Sequence, residues 1–257
     1  MRTIETRATV KELVHVTAHN HHYINPYFGC SEGCPFCCWE ELPGWSGKID
    51  VRVNAPELFE KYIENWDPNK VIYIGSCCNP YESLEAKYRL TRRILSMLKD
   101  RGIRFLLTTS TKLILDDMEL FVAMKEQAIV VMELCRIKRI KTFNLTGYHE
   151  GIEAGNLLRQ NGVTVWATLG PILPGITDIQ KVLDALNDEI PLYVSPLDVS
   201  PMTAMRRRLL DAIQREYPEL VLRYDEMIAQ KKCEEVFEKE IHPFLENPRI
   251  YRMPFPI

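Results

Sequence analysis

The sequence predicts an α/β protein: a parallel sheet of six βα units curled into a partial (β/α)6, TIM-like barrel and followed by a helical C-terminal segment. Three observations carry this expectation. Six short apolar runs recur along the chain. Each is nearly continuous in hydrophobicity rather than alternating, as strands covered on both faces are. The stretches between them show helical periodicity with start and stop signals.

The runs are HHYINPYF (21–28), VIYIGS (71–76), IRFLLTT (103–109), AIVVMEL (128–134), VTVWATLGPI (163–172) and PLYVSPLDV (191–199). Between the first two, Asn54-Ala-Pro-Glu57 predicts a helix start, with a cap, a proline in the first turn and a carboxylate at the third position. Apolar Leu58, Phe59, Tyr62 and Ile63 follow it. A second helix is expected from about Ser83 to Asp100, with Leu84, Tyr88, Thr91, Leu95 and Leu98 on one side and Gly102 as its stop. A third stops at Gly162 and a fourth starts at Asp178. Met202 to His242 reads as helical, interrupted near Pro218. The closing stretch HPFLENPRIYRMPFPI, with four of the sixteen prolines, reads as an extended tail packed on the surface. No repeat or linker divides the 257 residues. A single domain is expected, with its barrel core at about 20–200 and the helical segment and tail at 201–257.

At 46% hydrophobic and 26% charged, the composition is that of a chain with a substantial core. No segment offers the roughly 18 to 20 continuous apolar residues of a membrane span, and the first stretch lacks the apolar centre of a signal peptide. A cytoplasmic protein without membrane association is therefore expected. The net charge of -3 gives no global attraction to nucleic acid and leaves that role to local patches. In a reducing compartment the eight cysteines are expected to hold metal or do chemistry rather than form disulfides.

Four of them lie in INPYFGCSEGCPFCCWE (24–40). Cys30, Cys34 and Cys37 are spaced C-x3-C-x2-C directly after the first predicted strand, with Phe36 before the last. A structural zinc site or an ordinary cubane takes four protein ligands, whereas three thiolates leave one iron of a cluster open. The alternative is zinc, with Cys38 or one of His19, His21 and His22 as fourth ligand. Those histidines lie upstream on a predicted strand, where a place in the barrel lining or on the surface accounts for them.

The spacing and its aromatic resemble the signature of the radical S-adenosylmethionine (radical SAM) superfamily. The resemblance implies a partial barrel of the radical SAM type and a [4Fe–4S] cluster on Cys30, Cys34 and Cys37. It also implies S-adenosylmethionine chelated at the open iron, reductive release of a 5′-deoxyadenosyl radical, and an electron donor such as flavodoxin or ferredoxin. Four segments, NPYFGCSEGCPFCC, VRVNAPELFEKYI, IGSCCNPYESLEAKYRLTRRIL and LGPILPGITD, are similar in the same order to those of the spore photoproduct lyase-like branch. Asn79 stands where that branch has aspartate and Ser83 where it has proline.

Carried over residue by residue, the resemblance implies Phe36 near the adenine and Gly75, Ser76 and Cys77 beneath the methionyl group. Arg52 and Glu133 would reach the ribose or the methionyl carboxylate, a structural salt bridge being the other account of each. Thr168 and Gly170 would offer backbone to the adenine, ahead of a rigid turn from Pro171 to Gly175. Cys77 or Cys78 falls beside the position of the branch's hydrogen-donating cysteine, a role that suits a thiol because its S–H bond is weaker than most C–H bonds. The other account of either is a small buried hydrophobe. Cys135 is a weaker candidate and Cys233 is expected to be structural. Tyr23, Tyr27 and Tyr81 are read either as radical relays or as packing.

The implied reaction takes a hydrogen atom from a large substrate, fragments or rearranges a carbon–carbon bond and quenches the product radical with a thiol. Two substrate classes compete. A ribosomal peptide precursor, with a separate leader-recognition protein, is favoured by the net charge. Damaged DNA containing a thymine dimer would use the basic groups Arg136 to Lys141 and Arg206 to Arg208 on its phosphates, a solvated helix face being the commoner account of such charge runs. An iron–sulfur sensor or electron carrier is the non-enzymatic reading, and it accounts for neither the open coordination site nor a whole barrel.

Overall fold

Six parallel strands run within the six apolar runs, the first of which divides: residues 22–24 join the parallel sheet, while Tyr27 and Phe28 pair antiparallel in a separate small sheet. The computed structural model describes residues 5–41, 45, 47–134, 146–200 and 203–253. In chain order its elements are β1 (Glu5–Ala8), β2 (Val14–Val16), β3 (His22–Ile24), β4 (Tyr27–Phe28), β5 (Ile49–Arg52), α1 (Ala55–Tyr62), β6 (Ile72–Ile74), α2 (Glu85–Tyr88), α3 (Leu90–Arg101) and β7 (Phe105–Thr109). They continue with α4 (Met118–Ala123), β8 (Ala128–Glu133), α5 (Thr146–Gln160), β9 (Thr164–Leu169), α6 (Ile179–Ala185), β10 (Leu192–Val194), α7 (Ala204–Glu216), α8 (Val221–Ala229), α9 (Cys233–Ile241) and β11 (Ile250–Arg252).

Strands β3, β6, β7, β8, β9 and β10 pair consecutively and in parallel. Strand β2 joins one end antiparallel to β3, and β11 joins the other parallel to β10. Among the described residues β2 and β11 do not pair with each other, so the sheet is open rather than a closed barrel. The closing stretch is thus corrected: it is no surface tail but supplies a further parallel strand. Leu192 N donates to Arg249 O at 2.7 Å, and the Arg249 guanidinium donates to the carbonyls of Leu186 and Asn187 at 3.0 and 2.9 Å.

One face of the sheet is aliphatic. Ile72, Ile74, Leu107, Val130, Met132, Val165 and Leu192 pack with Phe59 of α1, Ile94 and Leu98 of α3, Phe121 of α4 and Leu158 of α5. The other face is aromatic and half-buried, with Tyr23 against Tyr73 (ring centroids 4.9 Å apart), Trp166 against Tyr193 (5.5 Å) and Tyr193 against Tyr251 (5.4 Å). Apolar residues on both faces give the runs their continuous hydrophobicity.

Two helix starts differ from the expectation. Asn54 precedes α1 without capping it; its Nδ2 donates to Val10 O at 2.8 Å and its Oδ1 accepts from Val10 N at 3.1 Å, pinning the N-terminal segment. The helix expected over 83–100 is two helices, broken at Arg89 with φ 52°. The cause is Glu85, 3% exposed, whose carboxylate accepts from Thr91 N (3.1 Å) and Arg92 N (3.0 Å) and so caps α3 from the preceding turn. The Tyr27 hydroxyl donates to the same carboxylate. Gly102 closes α3 at φ 65°, and Asp178 caps α6 by accepting from Lys181 N at 3.1 Å, both as predicted.

The C-terminal helices follow the sequence reading, with a turn at Pro218 between α7 and α8. Leu209 and Ile213 of α7 and Tyr224 and Ile228 of α8 pack on Leu173, Leu197 and Val199 from the loops that leave β9 and β10. The small sheet β1-β5-β4 was not anticipated; its only signal is the short alternation of buried Ile49 and Val51 with Asp50 and Arg52. Among the described residues no helix is long and apolar enough to cross a membrane.

Glu85→Ala is expected to destabilise the protein by about 2–4 kcal/mol, because it strands buried donors. Glu85→Gln should cost less, keeping the oxygen shared by Tyr27 and Thr91. Burial raises the Glu85 carboxyl above its ordinary range despite the Tyr27 hydrogen bond. Its contribution to stability is therefore full below about pH 4, the ordinary glutamate value, and is lost as pH rises through the higher folded value. Urea titrations from pH 4 to 8 should show a flatter profile for Glu85→Gln than for the parent; a steeper one would contradict this account.

Candidate active site

The parallel strands deliver their C-terminal ends to one side of the sheet, and a cavity of about 730 Å³ opens there. Ten of the twelve residues expected to hold the cluster, bind the cofactor or donate hydrogen line it: Cys30, Cys34, Phe36 and Cys37 from the loop after β4; Gly75, Ser76, Cys77 and Cys78 after β6; Glu133 at the end of β8; and Gly170 after β9. Arg52 and Thr168 do not line it. Arg52 ends β5, donates from Nη1 to Asn25 O at 3.1 Å and lies 5.3 Å over the Phe28 ring. Thr168 is buried in β9, and its carbonyl accepts from Leu134 N at 2.8 Å.

The cysteine loop has little regular structure, so its shape rests on bonds to its surroundings. Cys37 N donates to Cys34 O at 3.0 Å, and Gly29 N donates to Cys78 Sγ at 3.3 Å. Ser31 donates twice to Glu82, from N at 2.9 Å and from Oγ at 2.6 Å. From the other side, Arg208 of α7 donates to Cys37 O at 2.9 Å and pairs with Glu40 at 3.2 Å. Glu41 accepts from Met205 N at 2.7 Å, at the start of the same helix.

Two glycines keep the opposite wall as bare backbone. A Cβ on Gly75, where φ is 84°, would lie 2.5 Å from Pro80 Cδ and 2.6 Å from Thr108 O. A Cβ on Gly170 would lie 2.1 Å from Ser195 Oγ. Larger residues at either position would close the backbone approach.

The cysteines differ in environment. Burial pushes the Cys30 and Cys37 thiols up, Cys30 further through the neighbouring Glu82. Cys77 and Cys78 face each other with sulfurs 3.7 Å apart. Cys77 is held below its ordinary value by the hydrogen bond from Cys78 and by the Arg52 charge, while Cys78, buried, is held above it. Among the described residues no three His, Cys, Asp or Glu side chains converge as a site for a single metal ion. The histidines of the zinc alternative lie at the opposite ends of the strands: His22 Nδ1 bonds the Tyr62 hydroxyl at 2.6 Å, and its ring packs edge-on to Trp66.

Other candidates fall to structural roles. The Tyr81 hydroxyl donates to Asp117 at 2.9 Å, and Tyr27 is spent on Glu85. Asn79 uses both ends of its amide: Oδ1 accepts from Thr109 Oγ1 (2.8 Å) and Tyr81 N (3.0 Å), and Nδ2 donates to Ser110 Oγ at 3.2 Å. Cys233, expected to be structural, lines the cavity from the start of α9. Cys135 and the basic group 136–141 lie outside the described residues. Sequence reasoning missed Glu82 as a loop anchor, and it weighed Arg208 as a solvated helix face or a phosphate contact when the helix turns it onto the cysteine loop. Neither contact leaves a spacing signal, since each joins segments far apart in the chain.

No family model matches the chain. An uncharacterized protein of Methanocaldococcus jannaschii is 30% identical to it over 170 residues, covering 62% of this chain and 63% of that protein. An uncharacterized protein of Mycobacterium tuberculosis is 23% identical over 230 residues, covering 79% and 66%. The chain spans about two thirds of the length of these curated relatives. Among solved structures, a spore photoproduct lyase double mutant with bound AdoMet and dinucleoside spore photoproduct superposes with a TM-score of 0.62 at 14% identity, covering 98% of this chain and 82% of that one. SuiB of Streptococcus suis bound to S-adenosylmethionine gives 0.54 at 14% identity, covering 91% and 52%. SuiB bound to its precursor peptide SuiA gives 0.53 at 12% identity, covering 90% and 48%. The chain has the fold of the radical SAM enzymes spore photoproduct lyase and SuiB, as its cysteine motif led one to expect.

Proposed function

We propose that the protein is a radical SAM enzyme that takes a hydrogen atom from a large substrate. The observation that carries this reading is one cavity, at the C-terminal ends of the parallel strands, that holds Cys30, Cys34 and Cys37 together with the glycine-lined backbone of β6 and β9 and the Cys77–Cys78 pair. The donor set fits a three-thiolate cluster: a cubane takes each thiolate on a different iron, so its ligands need not converge on one point as ligands of a single ion do. Cys30, Cys34 and Cys37 would hold a [4Fe–4S] cluster that, charged by an external donor and with S-adenosylmethionine bound, would supply the one electron needed for a 5′-deoxyadenosyl radical.

The chain's own groups then have distinct tasks. Phe36 offers a ring face to the adenine, and Gly75, Ser76 and Gly170 let a flat ligand approach backbone. Glu133 offers an acceptor to the ribose or amino group. Arg52 and Thr168 act from behind the wall, Arg52 through its charge on Cys77 and Thr168 through the carbonyl that fixes the end of β8. Cys77, the more exposed of the pair, would give its hydrogen atom to the product radical after carbon–carbon fragmentation or rearrangement, and buried Cys78 holds its sulfur in place. The thiyl radical left on Cys77 would return to the thiol with one electron from the external donor and a proton from solvent.

A ribosomal peptide precursor is the favoured substrate, delivered with a separate leader-recognition protein and with electrons from a flavodoxin- or ferredoxin-like donor. The net charge of -3 supports it, and so does the use of two arginines that DNA would need: Arg206 pairs with Asp225 at 2.5 Å and Arg208 braces the cysteine loop. Thymine-dimer repair is the second reading, favoured by the superposition of spore photoproduct lyase on 98% of the chain.

Anaerobic reconstitution, dithionite reduction and assay of 5′-deoxyadenosine test the class. The parent should load iron and form deoxyadenosine, while Cys30→Ala, Cys34→Ala and Cys37→Ala each fall to background in both; deoxyadenosine from any of the three would overturn the assignment. Cys77→Ala should still form deoxyadenosine but lose product, or take its quenching hydrogen from elsewhere, as read by deuterium incorporation in D2O. An unchanged product and deuterium pattern would remove Cys77 from the mechanism. Turnover of peptides encoded beside the gene, and none of ultraviolet-irradiated DNA, is the expected substrate result; dimer repair would replace it.

A further inference from the structure

We infer that Glu82, which no motif singles out, is the positioning residue of the cysteine loop and sets the electrostatic environment of the Cys30 ligand. The inference deepens the enzyme reading above and rests on it.

Glu82 lies in the turn between β6 and α2 and is 1% exposed. Both its oxygens are committed to the residue next to Cys30: Oε1 accepts from Ser31 N at 2.9 Å, and Oε2 from Ser31 Oγ at 2.6 Å. The Cys30 thiol is a further neighbour. The turn that carries Glu82 is tied to the end of β7 through Asn79 to Thr109 and Ser110 and to the start of α4 through Tyr81 to Asp117, and Glu85 N closes it on Glu82 O at 2.8 Å. Glu82 thereby passes the rigidity of β6 and β7 to a loop that has no ladder of its own.

Among the described residues no lysine or arginine pairs with this carboxylate. A buried charge without a counter-ion costs several kcal/mol unless hydrogen bonds offset it. Anchoring alone would be met by a neutral side chain, as Asn79 shows one turn position away. The charge itself is therefore the feature to explain. Placed beside the Cys30 thiolate of an iron–sulfur cluster, it would oppose the addition of an electron and lower the reduction potential, and hydrogen bonding and net charge near the sulfurs are the protein's levers on that quantity.

Substitution separates the two roles. Glu82→Gln keeps an oxygen for Ser31 N and an NH2 for Ser31 Oγ while removing the charge. Glu82→Ala removes both. With anaerobically reconstituted full-length protein, iron per chain and the cluster's midpoint potential by EPR-monitored titration are read without S-adenosylmethionine. Glu82→Gln should load as much iron as the parent with its potential raised, by an amount equal to about a tenfold change in the reduced-to-oxidised ratio, or about 59 mV for one electron. Glu82→Ala should lose iron several-fold.

Should Glu82→Ala fail to fold, as judged by circular dichroism, the Gln potential decides. Parent-like potential in Glu82→Gln and, where it folds, parent-like iron in Glu82→Ala would overturn the role of Glu82 alone. A parent that binds no iron would overturn the cluster reading and this inference with it.

Discussion

Residues 75–85, the turn by which the chain leaves β6, bond to the cysteine loop, to the end of β7 and to the start of α3. Its cysteine Cys78 receives Gly29 N, its asparagine Asn79 ties down the end of β7, Glu82 holds Ser31, and Glu85 both receives Tyr27 and caps α3. Apart from the half-buried bond to Ser31 these are fully buried, where an unmade one costs its full desolvation penalty. The turn is affordable only as a set: its two glutamates are satisfied by the loop and helix they position. Fold and site are thus not separate layers here, because the groups that complete the helix cap and the β7 edge are neighbours of those that hold the thiols.

Much of the fold was legible because burial is written into residue type. Strands covered on both faces cannot carry alternating polarity, so six continuous runs were visible without knowledge of their neighbours. What failed were the places where a distant partner decides. Asn54 is a good cap by type, yet Val10 offers its amide a better pair. The 83–100 segment is helical throughout by type, yet Glu85 folds back onto Thr91 and Arg92 and breaks it at Arg89. The proline-rich close of the chain reads as a tail, but residues 250–252, between Pro248 and Pro254, find an open edge on β10.

The site divides in the same way. Cys30, Cys34 and Cys37 were legible from spacing, since their relation is local, and the cavity gathers them with the residues after β6 and β9. Arg52 and Thr168 share the neighbourhood but stand behind the wall, because the Arg52 guanidinium is drawn to Asn25 O and the Phe28 ring and the Thr168 carbonyl is taken by Leu134 N, partners distant in the chain. Arg206, Arg207 and Arg208 form one basic group in sequence but three environments in space, with a partner in Asp225, an exposed face and a brace on Cys37 respectively. A cluster of like charges along a helix is divided by the helix's own rotation.

The cavity's far wall includes Arg252 and Met253, delivered by β11. During synthesis the cysteine loop leaves the ribosome roughly 200 residues ahead of them, which at ~5–20 residues per second is about 10–40 s. For that interval the loop and the early strands exist without the last side of the pocket. Assembly of this protein therefore has a built-in order, in which the thiols are reachable from a direction that the finished molecule closes.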